Sequence, residues 1–479
     1  MKSKNAASFP EETSTDEEEL TEGWEIKKLK DITSKVPTLK PESEPERIFG
    51  YVDISSINND TNQIVEFKKI RGEDAPSRAR QSIQPNDVLF SNVRTYLRNI
   101  AIVPDDLDVQ VCSTGFTVLR SNGSIDPKFL FYYTLTNDFI NGVTPQQTGS
   151  QYPATTDRVV KDATIPLPPL AEQQRIVARI EALLSHVDAA RERLSRVPLI
   201  MKKFRQAVLA AACSGRLTEG WREHPTHLEN GEVFLQELLK ERKFWWEKEN
   251  QQKKLRYQEP LTVESIEDFN SDSIPDNWSL ATIDSISKKV VDGVHKKPNY
   301  QFSGIPFLTV KNLTKGPGID FTDVKYISDE EHEEFIKRSH PEYNDLLITK
   351  DGTIGTVRVI KTHIDFSIFV SLSMIKPIRQ EMSDFLQIAL SSPQIQKRMV
   401  KTGSGLQHLV IRDLKSLVIP LPPLAEQNEI VRRVGLLFER ADAFDQEVVA
   451  ASRRCERLTQ AVLGKAFRGE LVGSDDAKL

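Results

Sequence analysis

Cysteine is scarce. Only Cys112, Cys213 and Cys455 occur in 479 residues, too far apart for a disulfide framework or a four-cysteine zinc site. Long apolar runs are missing as well: none approaches 18 residues, which excludes a helical membrane span. No GxxxxGK[ST] phosphate loop occurs and no GxGxxG follows a strand, so the usual nucleotide-binding loops are lacking. The eight histidines include no HExxH set and no Cys-x-x-Cys partner, which gives no basis for a metal site. Nor is there a surplus of positive charge, since 64 Lys+Arg stand against 69 Asp+Glu. Residues 1–23 alone carry two Lys and seven acidic residues. Residues 1–20 read as a disordered acidic tail without the apolar middle of a secretory leader, and the expected compartment is the cytoplasm. The remaining body is neutral, so any polyanion partner must be argued from local stretches.

What the chain does have is a repeat. IPLPPLAEQ stands at 165–173 and again at 419–427, an offset of 254. At that offset Trp24 matches Trp278, Gly149-Ser150 matches Gly403-Ser404, Gln206-Ala207-Val208-Leu209 matches Gln460-Ala461-Val462-Leu463, and Gly215 matches Gly469. One duplicated unit therefore fills most of the chain. Likeness gathers at the edges and fades between 36–148 and 290–402. A constant frame with divergent interiors suits two different binding surfaces; drift without consequence is the alternative.

The segment after each Pro pair predicts a helix, with Glu172 and Gln173 in its first turn. Apolar residues recur in heptads at Ile176, Ile180, Leu183, Val187, Ala190, Leu194, Val197, Met201, Phe204 and Val208. The second copy repeats them at Ile430, Val434, Leu437, Ala441, Phe444, Val448, Ala451, Cys455, Leu458 and Val462. Such a seam needs a partner: the other copy, which is nearest, the helix's own globular domain, or a second chain. Gly215 and Gly469 are the expected stops and Pro198 an expected kink in the first helix. The interiors predict mixed sheet with short helices. GYVDISSI, NQIVEFKKI, DVLFSNV, NIAIV and TGFTVL are strand-like, as are IPFLTV, VKYIS, DLLITK and TVRVI. Gly352-Thr353-Ile354-Gly355 reads as the hairpin turn between the last two runs. DPKFLFYYTLTND and SDFLQIALSSPQIQKRMV read as helices. Residues 218–274 form a connector whose charged helix carries Phe244, Trp245 and Trp246, expected to anchor it.

Charge is uneven within the interiors. Residues 68–98 hold Lys68, Lys69, Arg71, Arg78, Arg80, Arg94 and Arg98 against Glu73, Asp74 and Asp87, and 288–315 hold six Lys against Asp292. Such stretches can neutralise phosphates and read base edges, or be solvated basic faces. Asp53 with Glu66-Phe67-Lys68 fits a metal-dependent nuclease pattern only loosely, and the second copy does not repeat it.

Several segments together resemble the specificity subunit of Type I restriction-modification enzymes: the doubled PLPPLAEQ, RQAVLAAACSGRL, YVDISSI with SRAR and DVLFSNVRTYLRNIA, and DGVHKKPNYQFSGIPFLTVKNL with DGTIG. The resemblance runs from Trp24 to Leu471. It implies an α+β fold: two mixed-sheet target-recognition domains (21–165 and 275–419), joined by two long spacer helices (166–217 and 420–471) that pair as an antiparallel coiled coil. The connector 218–274 and a tail 472–479 complete the chain. It implies a non-catalytic DNA-binding subunit of a bacterium or archaeon whose domains each read half of a split double-stranded target. Two modification subunits using S-adenosylmethionine and two restriction subunits using ATP and Mg are the implied partners, with no cofactor on this chain. Candidate DNA contacts are Lys68, Lys69, Arg78, Arg80, Ser91, Arg94, Tyr96 and Arg98 in the first domain. In the second they are His295, Lys296, Lys297, Lys311, Asn312, Lys350 and Thr353. Helix pairing falls to Ile176, Ile180, Leu183, Val187 and Leu194 with Ile430, Val434, Leu437, Phe444 and Val448. A stand-alone nuclease or methyltransferase, and a two-domain protein-binding scaffold, are the competing readings.

Overall fold

A computed structural model describes residues 21–107, 109–146, 153–224, 229–251, 255–263, 274–400 and 408–472. The acidic tail and the Gly149-Ser150 and Gly403-Ser404 pairs lie outside the described residues. The chain divides into two compact units, Met1–Ser195 with Val448–Leu479, and Arg196–Glu447.

Unit 1 holds β1 (Glu25–Lys28), β2 (Thr33–Ser34), β3 (Ile48–Val52), β4 (Ile57–Asn58), β5 (Gln63–Ile64) and β6 (Lys68–Arg71). It continues with β7 (Ala79–Ser82), β8 (Val88–Ser91), β9 (Ile100–Ile102), β10 (Val111–Ser113), β11 (Phe116–Ser121) and β12 (Thr164–Leu167). They form two sheets, β6-β3-β10-β7 and β2-β11-β8-β9, beside the pairs β4-β5 and β1-β12. Unit 2 holds β13 (Ser279–Thr282), β14 (Ser287–Asp292), β15 (Ile305–Leu308), β16 (Lys325–Ile327) and β17 (Leu346–Thr349). Then come β18 (Val357–Val359), β19 (Ser367–Ile368), β20 (Leu372–Pro377) and β21 (Val418–Leu421). Its sheets are β16-β15-β19 and β14-β20-β17-β18, beside the pair β13-β21.

The interiors that share little sequence thus share topology. The order β14-β20-β17-β18 repeats β2-β11-β8-β9, and β16-β15-β19 repeats β6-β3-β10, with a parallel pair in each. The central strands, VLFS and LLIT, are buried throughout, as continuous apolar runs should be. Each follows an Asn-Asp turn. Asn86 and Asn344 take left-handed φ of 68° and 65°, which asparagine tolerates better than most residues. Asp87 and Asp345 each accept a backbone N–H three residues back, from Gln84 (2.9 Å) and Glu342 (3.0 Å). Each also meets a cation from the adjacent strand, Arg120 at 2.7 Å and Lys376 at 3.0 Å. The strands 79–82, 111–113, 287–292 and 372–377 were not expected; polar residues interrupt their apolar pattern.

The long helices are Leu170–Cys213 and Leu424–Phe467, identical in length and displaced by the repeat offset. Helix runs unbroken across Pro198. Gly215 and Gly469 follow the ends with left-handed φ of 77° and 74°, the stops that a residue without Cβ supplies most cheaply. Each compact unit takes in the first part of one long helix and the last part of the other. In unit 1, Ile176, Ile180 and Leu184 share a core with Val462, Leu463, Ala466 and Phe467, and Arg191 donates to Thr459 at 3.5 Å. In unit 2, Val208, Ala212 and Cys213 share a core with Ile430 and Val434, and Arg205 binds Asp445 at 2.9 Å and Asp442. Rising numbers on one helix meet falling numbers on the other, so the pairing is antiparallel within each unit.

The heptad seam needs correction at its middle. Ile176, Ile180, Ile430 and Val434 are buried, and Leu183, Val187, Leu194, Leu437 and Val448 half-buried. Phe444 is 46% and Leu458 54% exposed, and Asp445, Thr459 and Leu463 turn inward one position later. The departures are local, since the next heptad positions Val448 and Cys455 are again half-buried and buried. Phe204 is likewise exposed, and the neighbouring Arg205 makes the contact. The connector helix Gly231–Asn250 is anchored by Phe234 and Leu238, both buried in the unit 2 core. Of its expected anchors, Phe244 is exposed, while Trp246 meets Tyr257 edge-on.

Candidate nucleic-acid interface

The frame that positions both interiors is built from the repeated motif itself. β1 runs antiparallel to β12, and β13 to β21, in the same register. Trp24 and Trp278, just before those strands, are buried and donate their indole N–H to the motif glutamate, Glu172 at 3.1 Å and Glu426 at 2.8 Å. The motif glutamine reaches back to the first proline of its Pro pair, Gln173 to Pro168 O and Gln427 to Pro422 O, both at 2.8 Å. Every polar letter of IPLPPLAEQ therefore closes the junction between sheet edge and helix, a role for Trp24, Trp278, Glu172 and Glu426 that spacing alone did not reveal.

Four of the expected DNA contacts make bonds within the fold. Ser91 is buried and donates to Val93 O at 3.1 Å. Asn312 is buried as the third residue of a capping box with Thr309, and its amide donates to Asp320 O and Asp323 O. Lys350 is buried 2.8 Å from Asp292, an ion pair that joins the DGVHKKP and KDGTIG segments. Arg98 donates to Leu135 O at 2.9 Å and to Asn137 Oδ1, and burial holds its guanidinium pKa below the ordinary arginine value. In each case the polar group finds a partner within the fold, two residues away for Ser91 but 58 positions away for Lys350, which satisfies it without a ligand.

The basic stretches are also less positive than counted. Lys68 pairs with Asp53 at 2.9 Å, Arg80 with Glu42, and Arg71 with Glu46 and with Glu73 at 3.0 Å. Asp53 caps the turn 54–56 and accepts from Ser55 N at 3.0 Å, so the loose nuclease pattern resolves into a cap and a surface ion pair. Lys311 and Lys315 share Asp323 at 3.1 and 2.9 Å, and Lys296 lies 3.8 Å from Glu334. His295 stands exposed 3.4 Å from the same Asp292 oxygen that holds Lys350. Lys69, Arg78, Lys297 and Thr353 are exposed and Arg94 half-buried. Exposed aromatics missed in the sequence stand among these: Tyr300, with Lys325 over its ring at 4.2 Å, and Phe302. Among the described residues no group of three or more His, Cys, Asp or Glu is placed to hold a metal ion.

Equivalent loops follow the two central strands. Residues 92–99 join β8 to β9, and 350–356 join β17 to β18, the hairpin expected at Gly352-Thr353-Ile354-Gly355. Both loops bridge to a later segment, Val93 to Ala154 and Asp351 to His408. Both have left-handed residues at their ends. In unit 2 these are Gly352 and Gly355, at φ 67° and 85°; in unit 1 they are Arg94 and Arg98, at 49° and 52°. A side chain in that conformation costs about 1–2 kcal/mol per residue, which the bonds of Arg98 help to offset. Arg98→Lys is expected to destabilise unit 1 by about 1–3 kcal/mol, because an ammonium cannot reproduce the guanidinium fork. Urea unfolding would show it, and an unchanged midpoint would remove Arg98 from the scaffold.

Residues 21–198 and 275–442 each match the family described as "Type I restriction modification DNA specificity domain". The chain is 32% identical over 351 residues to the specificity subunit of the Escherichia coli enzyme EcoBI, covering 71% of this chain and 65% of that subunit. It is 28% identical to the EcoKI specificity subunit of Escherichia coli strain K12, covering 95% and 90%. Among solved structures, the HsdS subunit from Thermoanaerobacter tengcongensis aligns over 94% of this chain and 98% of that one, with 28% identity and a TM-score of 0.51. A chain from a study of assembly and conformational transition in the type I system aligns over 94% and 99%, with 28% identity and a TM-score of 0.69. With paired specificity domains on one α+β frame, the chain belongs to the specificity subunits of Type I restriction-modification enzymes, which recognise DNA and are not catalytic.

Proposed function

We propose that each unit reads one half of a split double-stranded DNA sequence, and that the paired long helices set the gap and dock two modification and two restriction subunits. The chain itself brings no cofactor. S-adenosylmethionine for adenine methylation, and ATP with Mg for restriction, belong to those partners, and the complex acts in the cytoplasm of a bacterium or archaeon. The observation that carries this reading is one topology built twice in one chain, with equivalent loops that differ in side chains. Two readers on one frame can recognise two sequences only if the frame stays constant and the loops differ.

Methylation mapping of host DNA tests the proposal. A motif of two half-sequences separated by a fixed gap of unspecified bases is the expected result. A continuous motif would overturn the two-reader reading. A complex whose DNA affinity does not fall with salt would favour a protein-binding scaffold instead, since phosphate neutralisation gives a steep negative salt slope.

A further inference from the structure

We propose that the turn Arg94–Arg98 is a rigid base-reading finger whose tip, Tyr96 and Leu97, contacts the major groove of the half-site read by unit 1. This rests on the DNA-reading function proposed above and names the side chains that perform it.

Three observations converge on the turn. Its backbone is held from separate parts of the fold: Asn59 Nδ2 donates to Leu97 O at 3.0 Å, and Asn62 Nδ2 donates to Arg98 O at 3.0 Å and Ile100 O at 3.1 Å. Arg94 N donates to Pro153 O at 2.8 Å, and the Arg98 guanidinium ties the far end to Leu135 O. Against that fixed backbone, Tyr96 is 54% and Leu97 38% exposed, while Thr95 between the arginines is buried. The exposed part of an aromatic and an aliphatic side chain contributes nothing to folding, whereas an apolar tip on a preorganised backbone loses less entropy on binding.

The third observation is the comparison within the chain. The equivalent loop of unit 2 keeps the two left-handed corners but builds them from glycine, with Thr353 and Ile354 between. The corners are kept while their spacing shortens by one residue, Thr353 is exposed and Ile354 packs against the unit 2 core, so the chemistry presented differs, as two readers of different sequences require. A tyrosine at such a tip can lay its ring edge on a thymine methyl and use its hydroxyl as donor or acceptor at a base edge, and Leu97 can extend the apolar contact.

The test uses the full chain with its cognate modification subunits, and duplexes carrying the wild-type motif mapped beforehand. Tyr96→Ala is expected to relax the preference at one base pair of one half-site and to lower methylation of the parental duplex roughly tenfold. The other half-site should be unchanged. Tyr96→Phe divides the effect between ring and hydroxyl, and Tyr96→Gln repeats the measurement should alanine loosen the turn. Parental motif and rate retained by Tyr96→Ala, Tyr96→Gln and Leu97→Ala alike would overturn the finger. So would an equal fall on all DNA sequences, the mark of a phosphate contact. A wild-type motif that is not split would instead overturn the two-reader reading, so the two failures are distinguishable.

Discussion

Cells carrying a chain lengthened by seven residues after Leu194 and by seven after Val448 are expected to methylate the parental half-sequences at a gap about three base pairs longer. Seven residues add about 10 Å of helix at 1.5 Å per residue, and base pairs stack about 3.4 Å apart. Seven is also the number that keeps a heptad register, so both seams can still mesh. The insertion points fall beside Ser195 and Glu447, where the two compact units part, so neither core is opened. A single insertion leaves one helix without a match and should give an unstable or inactive chain. Loss of all methylation in the double variant would mean that the partner subunits cannot follow the longer frame. Methylation at the original gap would refute helices as the spacing element and reduce them to packing.

The largest effect on stability should come from Glu426. It is fully buried, and four groups converge on it: Trp278 Nε1 at 2.8 Å, Thr218 Oγ1 at 2.7 Å, Arg222 Nη1 at 2.6 Å and Asn277 Nδ2 at 3.4 Å. Alanine there leaves a half-buried guanidinium and a buried indole N–H without their acceptor, at about 3–5 kcal/mol. The melting temperature should fall by roughly 10 °C. The matching residue of the first copy, Glu172, accepts the Trp24 indole and is partly exposed, so Glu172→Ala should cost about 1 kcal/mol. Replacing Glu426 and Arg222 together by Leu and Met should recover part of the loss, because the buried charge is then gone from both sides. Equal costs for Glu426→Ala and Glu172→Ala in parallel thermal melts would show that the hub carries no special weight.

The sequence by itself determined the duplication, the existence and place of the two long helices, whose expected spans 166–217 and 420–471 enclose the observed Leu170–Cys213 and Leu424–Phe467, and the family. Those features are local or periodic: Pro before the first turn, heptad spacing, and Gly just past the last turn act over one or a few turns, so no distant partner changes them. Tertiary structure alone decided which polar residues face solvent. The partner of Lys350, a candidate DNA contact, was hidden because Asp292, 58 positions earlier, is brought against it by the β14-β20-β17 sheet. The partners of Arg98, Leu135 O and Asn137 Oδ1, likewise enter its reach only after the helices pack. The shared topology of the interiors was hidden for a related reason. Their central strands and Asn-Asp turns correspond at an offset of 258 rather than 254, since loops lengthen at little energetic cost. Folding conserves the path of the chain and the burial of its strands. The loops that lie outside that constraint, 94–98 and 352–356, are where two otherwise equivalent units came to differ.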